Sequence, residues 1–431
     1  MDFLRLGTSL VPVLLFGFPL FSAGLFASET TAASPESVST ATPPVAAEPF
    51  RIENQVILTS TTPDLHFLPA RAAFIPGDPG RGLLLIQEMD TGSTHGFRDL
   101  YSSETTDRGL TWSAPERIET LRRTTRTDGY DQVAGDLYPQ WHAATGVVLA
   151  TGKTFGFRNG TQEDRSQERV SYSIYNPEKR TWSGMQVLAL PPRDHEGKAF
   201  QEANAGCNQW FALPDGDLLL PIRYRKNPDS PAYTTIIARC SFDGRTLTYR
   251  AHGSELTLPE GRGFYEPSVT SLGGRYYLTL RADHSGYVTC SNDGLNYAPP
   301  REWTFDDGAP LGSYNTQQHW ITHHDALYLV YTRRGARNDH VFRNRAPLFI
   351  AQVDPDRLCV LRTTERVLIP EQGLGLGNFG IVDVSPTETW VITSEEAFPA
   401  SRRHEPNHVL LARLRWNIPT ATANPSLPVR P

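Results

Sequence analysis

Cysteine is scarce in this sequence, and no cysteine sits in a ligand pattern. The chain has four cysteines among 431 residues, without a CxxC pair or a cysteine–histidine spacing typical of zinc sites. Metal binding through sulfur is therefore disfavoured, and we expect neither a metal nor a cofactor. Cys240 and Cys290 occupy equivalent places in neighbouring repeats, so a disulfide is an alternative if their Cα atoms lie within about 7 Å. Buried free thiols are the favoured interpretation.

The sequence also lacks sustained helical periodicity, long apolar runs and a surplus of positive charge. No segment beyond the N-terminus repeats apolar residues every 3.6 positions between helix caps, so an essentially all-β chain is predicted. The formal net charge is −6, and the arginines are scattered, not packed into a basic run. This distribution gives no electrostatic footprint for nucleic acid. With 34 glycines, 34 prolines and 10% aromatic residues, the composition suits one large, turn-rich domain.

The N-terminus resembles a secretory signal. Arg5 precedes an apolar stretch at residues 10–21, and small residues follow it at 23–33. We interpret residues 1–27 as a signal peptide and 28–49 as a disordered leader rich in Ser, Thr, Ala and Pro, which predicts export to the periplasm or the medium. A membrane anchor is the alternative, but the stretch is shorter than the roughly 20 residues that a span needs.

An eight-residue turn is the most informative motif. Residues 105–112 read Thr-Thr-Asp-Arg-Gly-Leu-Thr-Trp. The carboxylate of Asp107 can accept backbone N–H groups across the turn, Gly109 permits a positive φ, and Trp112 can cover the hairpin. Weaker copies occur at residues 175–182, 240–244 and 290–297, and further turns follow at 354–356 and before 413–416. The motif therefore predicts a chain of repeated β-hairpins.

The spacing of these turns predicts six repeats. Six markers recur every 50 to 69 residues, which suits a four-stranded blade with variable loops. They are Asp107, Asn176, Asp243, Asp293, Asp354 and Trp416. Inner hairpins are predicted at residues 213–221, 272–280, 326–331 and 384–392. We expect a six-bladed β-propeller over residues 50–417, with a Pro-rich tail at 418–431. Residues 55–60 should pair with the last blade and close the ring.

The turn motif, the export signal and the six repeats together resemble the sialidase (neuraminidase) superfamily, whose six-bladed propellers carry this turn as the Asp-box. The resemblance covers about residues 50–417. It implies an exported glycoside hydrolase that acts on an acidic, carboxylate-bearing glycan terminus. Because the Asp-box also occurs in noncatalytic propellers, the site has to be compared residue by residue.

The strongest local match is residues 265–281. This segment is similar to the sialidase segment with a glutamate at the start of one inner strand, here Glu266, and an arginine at the end of the next, here Arg281. In the family, the glutamate at the position of Glu266 polarises the nucleophile. The arginine at the position of Arg281 belongs to a triad that clamps the substrate carboxylate. A planar guanidinium suits that bidentate task. A structural salt bridge within the strand pair is the alternative interpretation.

Other positions follow from the same resemblance. Arg345 is placed like a second triad arginine, with Arg343 as the alternate by register, whereas Arg334 and Arg337 are interpreted as solvated loop charges. The general acid belongs in the loop at residues 90–98, before the first turn motif. Asp90 is the first candidate and His95 the second; each can equally be a solvated loop residue.

Two departures from the family pattern concern the mechanism. Where sialidases usually have Arg-Ile-Pro, this chain has Phe67-Leu-Pro69, which leaves Arg71 as the substitute for the third arm of the clamp. Where the nucleophilic tyrosine is expected, residues 377–383 place Phe379. A phenylalanine cannot attack an anomeric carbon.

Polar and aromatic residues at 313–320 offer replacement groups. Tyr314 and His319 are candidates for nucleophile or base, and Gln317 is a candidate for bonding sugar hydroxyls. Further substrate-binding candidates on neighbouring hairpins are Asp339, His340 and Asn208, with Asn204 and Trp210 close to the last. Ordinary packing or solvation is the alternative for each.

Three functions agree with these residues. In an inverting hydrolase, Glu266 and Asp90 would flank the scissile bond as base and acid. A Tyr/His pair beside an arginine that neutralises a uronate would instead serve a polysaccharide lyase. The absent tyrosine and arginine favour a third possibility, a noncatalytic glycan-binding propeller.

Overall fold

The computed structural model describes residues 48–60, 65–77, 79–90, 96–125, 127, 129–158, 161–162, 168–396 and 406–420. The predicted signal peptide, almost all of the predicted leader, His95 and most of the Pro-rich tail lie outside these residues. Within them, no helix has the length and apolarity needed to cross a membrane.

The described chain folds into six antiparallel sheets arranged as a β-propeller. Strand β1 (Phe50–Thr59) comes first in the chain and belongs to the last blade. The first blade contains β2 (Leu65–Ile75), β3 (Arg81–Asp90), β4 (Phe97–Thr105) and β5 (Glu116–Arg117). The second contains β6 (Thr124–Thr125), β7 (Tyr130–His142), β8 (Val147–Arg158), β9 (Thr161–Gln162), β10 (Val170–Asn176), β11 (Thr181–Trp182) and β12 (Gln186–Val187).

The remaining four blades follow in chain order. The third has β13 (Gln201–Asn204), β14 (Phe211–Ala212), β15 (Leu218–Arg225), β16 (Thr234–Phe242), β17 (Leu247–His252) and β18 (Leu256–Thr257), and the fourth has β19 (Tyr265–Leu272), β20 (Arg275–Arg281), β21 (Gly286–Ser291) and β22 (Arg301–Glu302). The fifth has β23 (His319–His323), β24 (Ala326–Tyr331), β25 (Leu348–Asp354), β26 (Cys359–Val360) and β27 (Arg366–Ile369), and the sixth has β28 (Phe379–Ser385), β29 (Glu388–Ser394) and β30 (His408–Trp416). Short 3-10 turns lie at Glu119–Leu121, Phe342–Asn344 and Arg362–Thr364.

The ring closes as the sequence predicted. Strand β1 pairs antiparallel with β30, with Phe50 opposite Trp416 and Thr59 opposite His408. The strand is longer than the predicted 55–60, because Phe50 is buried against Tyr328 and Trp416 and extends the pairing toward the N-terminus. The sixth blade is therefore completed by the first strand of the chain.

The hydrophobic core is divided among the interfaces between blades. On β3, Leu83 and Leu85 pack against the second blade, while the alternating Leu84 and Ile86 pack against the sixth. An unbroken apolar run therefore marks a strand whose two faces are both buried. Comparable clusters join blades two and three, three and four, four and five, and five and six.

The repeated turn lies between the third and fourth strands of a blade. In its best copy, the Asp107 carboxylate accepts the backbone N–H of Thr111 at 2.9 Å and the hydroxyl of Thr105 at 2.7 Å, and Gly109 has a φ of 79°. The side chains of Asn176, Asp243, Asp293 and Asp354 accept backbone N–H groups at the corresponding turns. The five markers from Asp107 to Asp354 therefore lie in turns that follow the third strand of a blade.

Four successive innermost strands share an irregularity at the same end. Pairing between the first two strands of the blade skips two residues in blades one to four: 68–69, 136–137, 202–203 and 266–267. The leading residue of three of these bulges has a positive φ, namely Asp136 (55°), Glu202 (48°) and Glu266 (44°). Because a bulge redirects a side chain, it presents polar residues at one end of the ring.

The four cysteines carry free thiols. Cys207, Cys240 and Cys359 are buried, and burial raises the pKa of Cys240 to about 12. Cys290 is half-buried and accepts a hydrogen bond from Arg275 at 3.1 Å. The expectation of buried free thiols holds for three of the four.

We predict that Asp107→Ala lowers the free energy of unfolding by about 1–2 kcal/mol at neutral pH, because backbone and hydroxyl donors of the turn lose their acceptor. Hydrogen bonds from Thr111 lower the pKa of Asp107 to about 2. The stabilisation is therefore complete above the unfolded pKa near 4 and disappears as the pH falls through about 2. Urea unfolding at pH 7 and pH 3 measures this; the exposed Asp229→Ala should unfold like the wild type at both, and an equal loss in both variants would contradict the prediction.

Candidate functional site

A central pocket of about 150 Å³ opens at the end of the ring where the inner strands bulge. All six blades or their loops contribute to it: Leu68, Pro69, Met89, Phe97, Asp136, Lys153, Phe155, Cys207, Arg223, Arg262, Glu266, Arg281, Arg343, Arg345, Asn378 and Glu396. Six of these residues carry a cationic side chain and three carry a carboxylate. The pocket therefore favours an anionic ligand.

A larger cavity of about 420 Å³ lies among the opposite ends of the inner strands. Its glutamines are already engaged: Gln140 exchanges two hydrogen bonds with the backbone of Trp210, and Gln209 does the same with Trp320. These amides hold neighbouring blades together. The smaller pocket, where charged groups converge, is the better candidate for chemistry.

Glu266 and Arg281 form the centre of the pocket. The register of β19 and β20 pairs Tyr265 with Arg281, and the bulge at residue 266 turns the glutamate toward the guanidinium, which donates Nη1–H to its Oε2. Burial by itself would raise the pKa of Glu266, but the charges of Arg281 and Arg223 outweigh it and lower the pKa to about 2. Glu266 is consequently a carboxylate at neutral pH.

Arg345 lies beside this pair. Its Nη1 donates to Glu396 at 2.7 Å and its Nη2 to the carbonyl oxygen of Asn315 at 3.0 Å. Gly377 makes room for it, since a Cβ at that position would lie 2.6 Å from Cδ of Arg345. The buried Nε atoms of Arg281 and Arg345 have no hydrogen-bond partner in the described protein.

Asn315 organises the arginines. Its Oδ1 accepts hydrogen bonds from Arg281 at 2.6 Å, Arg262 at 2.8 Å and the Tyr265 hydroxyl at 3.1 Å. Arg262 is also bound to Asp283, at 2.6 Å from Nη2 and 2.9 Å from Nε. Asn315 has a φ of 47°, which an asparagine tolerates better than most residues.

Arg343 is the most weakly neutralised of the arginines contributed by blades four and five. Among the described residues it makes no hydrogen bond or ion pair through its side chain and only packs over the Phe342 ring, at 4.8 Å. Burial and the neighbouring Arg345 and Arg281 lower the pKa of Arg343 to about 10. It remains positively charged at neutral pH, so an anion in the pocket would relieve the repulsion.

The second and third blades add charged residues to the pocket lining that the sequence analysis did not select. Lys153 Nζ lies 3.5 Å from Asp136 and 3.9 Å from Glu168. Arg223 is buried over the Tyr233 ring at 4.4 Å, and its Nε has no hydrogen-bond partner among the residues that the structure describes. Asp136 precedes an apolar residue in its strand bulge, as Glu266 precedes Pro267, and this shared position is the signal that could have identified it.

Arg71, Gln317 and His319 lie deeper in the ring and do not line the pocket. Arg71 is 1% exposed and donates to the carbonyl of Phe379 at 3.2 Å, to Gln317 at 3.2 Å and to the sulfur of Cys207 at 3.1 Å. His319 bonds to Ser268 at 2.7 Å and to Gln317 at 2.9 Å, and burial lowers its pKa to about 3. Arg71 is thus placed to hold the blades together, not to form the third arm of a clamp, and His319 is a neutral, enclosed imidazole.

The other candidates from the sequence are distributed around the pocket. The Tyr314 hydroxyl donates to Asn344 at 2.9 Å, His340 is exposed 3.3 Å from Glu371, and Asp339 accepts from Asn344 at 3.1 Å. None of these three lines the pocket. Asn208 is completely buried and donates to the carbonyl of Pro221, so it too lies outside the lining.

Asp90 ends β3 and forms an exposed ion pair with Arg98 at 2.6 Å. It does not line the pocket, although Met89 before it and Phe97 beyond the following loop do. Phe67 is half-buried outside the lining, and Phe379 is fully buried against His319, with ring centroids 4.8 Å apart. Asn378, the neighbour of Phe379, lines the pocket instead.

No family model and no curated protein matches this chain. Solved structures do resemble it. Trypanosoma rangeli sialidase in complex with sialic acid matches with a TM-score of 0.57 and 12% identity, over 85% of this chain and 58% of that one. NanB sialidase from Streptococcus pneumoniae matches with a TM-score of 0.54 and 12% identity, over 86% and 71%. The chain thus spans little more than half the length of the trypanosomal protein, and the likeness establishes a sialidase-like six-bladed fold.

We predict that Arg71→Met lowers the free energy of unfolding by about 2–4 kcal/mol, because buried acceptors on neighbouring blades lose their donor. Urea unfolding followed by tryptophan fluorescence measures the difference. Arg337→Met, at an exposed arginine, is the matched control and should change stability by less than about 0.5 kcal/mol. If both variants unfolded at the same urea concentration, Arg71 would not be holding the blades together.

Proposed function

We propose that this protein is an exported glycoside hydrolase that removes a carboxylate-bearing sugar from the end of a glycan. The observation that carries the proposal is the ionised Glu266 in a pocket with six cationic and three anionic side chains. Sialidase structures with the same fold, one of them holding sialic acid, support the substrate class. The N-terminal segment 1–27 supports export.

The arginines of blades four and five provide the anion site in this proposal. Arg281 and Arg345 line the pocket, and Arg343 has no counter-charge of its own within the described chain. A planar guanidinium binds a carboxylate through two parallel hydrogen bonds. Arg343 takes the place of the arm that Phe67 removes from the family pattern.

Glu266 acts as the base in the proposed reaction. Among the described residues that line the pocket there is no tyrosine, and burial raises the pKa of the lining thiol of Cys207, which keeps it protonated. A water molecule held by Glu266 is therefore the proposed nucleophile, which predicts inversion at the anomeric carbon.

The general acid is proposed to come from the loop at residues 90–96. Met89 and Phe97, which flank this loop, both line the pocket. Asp90 and His95 are its titratable residues and remain the candidates for protonating the leaving group. Support for a lyase is weaker, because neither Tyr314 nor His319 is among the lining residues.

We predict that Glu266→Gln lowers kcat on a fluorogenic aryl glycoside of N-acetylneuraminic acid by at least about 10²-fold, because the amide cannot accept the proton of water. Turnover of an aryl glucuronide, measured in the same way, tests whether the acidic sugar is instead a uronic acid. The matched control is Glu116→Gln, an exposed glutamate on β5, which should keep full activity. Undiminished turnover by Glu266→Gln would refute the proposed base; saturable sugar binding without product from the wild type would identify a glycan-binding protein.

We predict that Arg343→Gln weakens binding of free N-acetylneuraminic acid by about 10-fold or more, since a charged hydrogen bond contributes about 1.5–3 kcal/mol. Binding is measured calorimetrically, with the methyl ester of the same sugar as a ligand without the carboxylate charge. Arg337→Gln, an exposed arginine in the preceding loop, is the matched control. Equal losses for the acid and the ester would show that Arg343 does not recognise the carboxylate.

A further inference from the structure

A cluster of two histidines and a glutamate lies in the third blade, outside the central pocket. His195 belongs to the loop before β13, His252 ends β17, and Glu255 directly precedes β18. One ligand atom from each lies within 4.8 Å of the other two. None of these residues lines the pocket, so their arrangement is independent of the proposed reaction.

The three ligand atoms lie close together. His252 Nε2 lies 3.0 Å and His195 Nδ1 3.8 Å from Oε1 of Glu255. Ligands about 2.0–2.2 Å from one tetrahedral ion lie roughly 3.4 Å from each other, and the two separations from Oε1 are close to this value. The two imidazole rings are stacked, with centroids 4.0 Å apart and an angle of 10° between their planes, so the exposed ring of His195 has to rotate for both nitrogens to face one ion.

The remaining polar atoms of two ligands are already engaged. Nδ1 of His252 lies 2.6 Å from the Tyr249 hydroxyl, which leaves Nε2 toward the cluster. Oε2 of Glu255 is bound by Lys226 at 2.7 Å, which leaves Oε1 toward the cluster. Outer hydrogen bonds of this kind fix the orientation of metal ligands in proteins.

The loop that carries His195 is held in place. Asp194 accepts the backbone N–H groups of Glu196 at 3.0 Å and Lys198 at 2.7 Å, and the Tyr224 hydroxyl donates to it at 2.6 Å. The backbone N–H of His195 itself donates to Oε1 of Glu255 at 2.7 Å. The backbone of this loop is therefore held in place before any ion binds.

The local charge suits a divalent cation. Lys226 is balanced by Glu196, at 2.6 Å, so with neutral imidazoles the cluster keeps the one negative charge of Glu255. The His195 side chain is 62% exposed, which lets an ion and a water ligand reach the cluster from solvent. Two imidazoles and one carboxylate favour zinc over magnesium or calcium, which prefer oxygen ligands.

We propose that His195, His252 and Glu255 bind a zinc ion that fastens the loop before β13 to the outer edge of the third blade. Nε2 of His252, Nδ1 of His195 and Oε1 of Glu255 are the protein ligands, and water completes the shell. His252 then carries its proton on Nδ1 and donates it to the oxygen of Tyr249. The ion stabilises the blade.

Calorimetric titration of ZnCl₂ into the full chain, purified without a histidine tag and stripped with a chelator, tests the site. One equivalent should bind with a micromolar or tighter Kd and raise the Tm, because the ion binds only the folded state. His195→Gln should weaken binding at least 10-fold. His284→Gln removes another exposed histidine and should leave binding unchanged.

Tyr249→Phe distinguishes a metal site from a simple histidine–glutamate hydrogen bond. Loss of the hydrogen bond between the Tyr249 hydroxyl and Nδ1 of His252 should weaken zinc binding about 10-fold while the chain stays folded. Absence of one-equivalent binding in the wild type would overturn the proposal, as would equal affinities for the wild type and His195→Gln. These measurements need no glycoside, so their outcome is separate from that of the proposed hydrolysis.

Discussion

The centre of the ring depends on the hydrogen bonds that the buried guanidinium of Arg71 donates. It lies on the first blade and donates to the second at Leu137, the third at Cys207, the fifth at Gln317 and the sixth at Phe379. Five donors in one plane can satisfy acceptors on several strands at once, which no apolar side chain can do. Because Cys207 also lines the pocket, its hydrogen bond with Arg71 links the pocket lining to the buried centre of the ring.

Bulges in the inner strands direct charged side chains from this rigid centre into the pocket. A regular inner strand would alternate its side chains between the two blade interfaces, and a carboxylate there would be buried without water. The two-residue irregularities at 136–137 and 266–267 turn Asp136 and Glu266 toward the pocket at the cost of a positive φ. The backbone strain is thus located where charged groups have to leave the core.

The six blades could be predicted because their signal is local. A turn such as residues 105–112 carries its own hydrogen-bonding residues, so the copies mark the third-to-fourth strand connections of blades one to five without knowledge of distant contacts. The pair Glu266 and Arg281 was accessible for the same reason, since one hairpin joins them. Arg71 and His319 lie outside the pocket lining, and their burial depends on converging blades that a single sequence does not reveal. Asn315 and Glu396 act through partners on other blades, which a single sequence does not reveal.

The replacements at positions 67 and 379 also have a common physical consequence. With phenylalanine at both positions, the first and sixth blades contribute neither a guanidinium nor a phenol at those places, and Phe379 packs on His319. Positive charge is concentrated on blades four and five, where Arg281, Arg343 and Arg345 lie together, while Asn378 and Glu396 remain on the sixth. Under the proposed function, a ligand carboxylate is drawn to this side of the pocket, and Asp136, Lys153 and Arg223 face the rest of the sugar. In that proposal the altered residues displace the anion site without removing it.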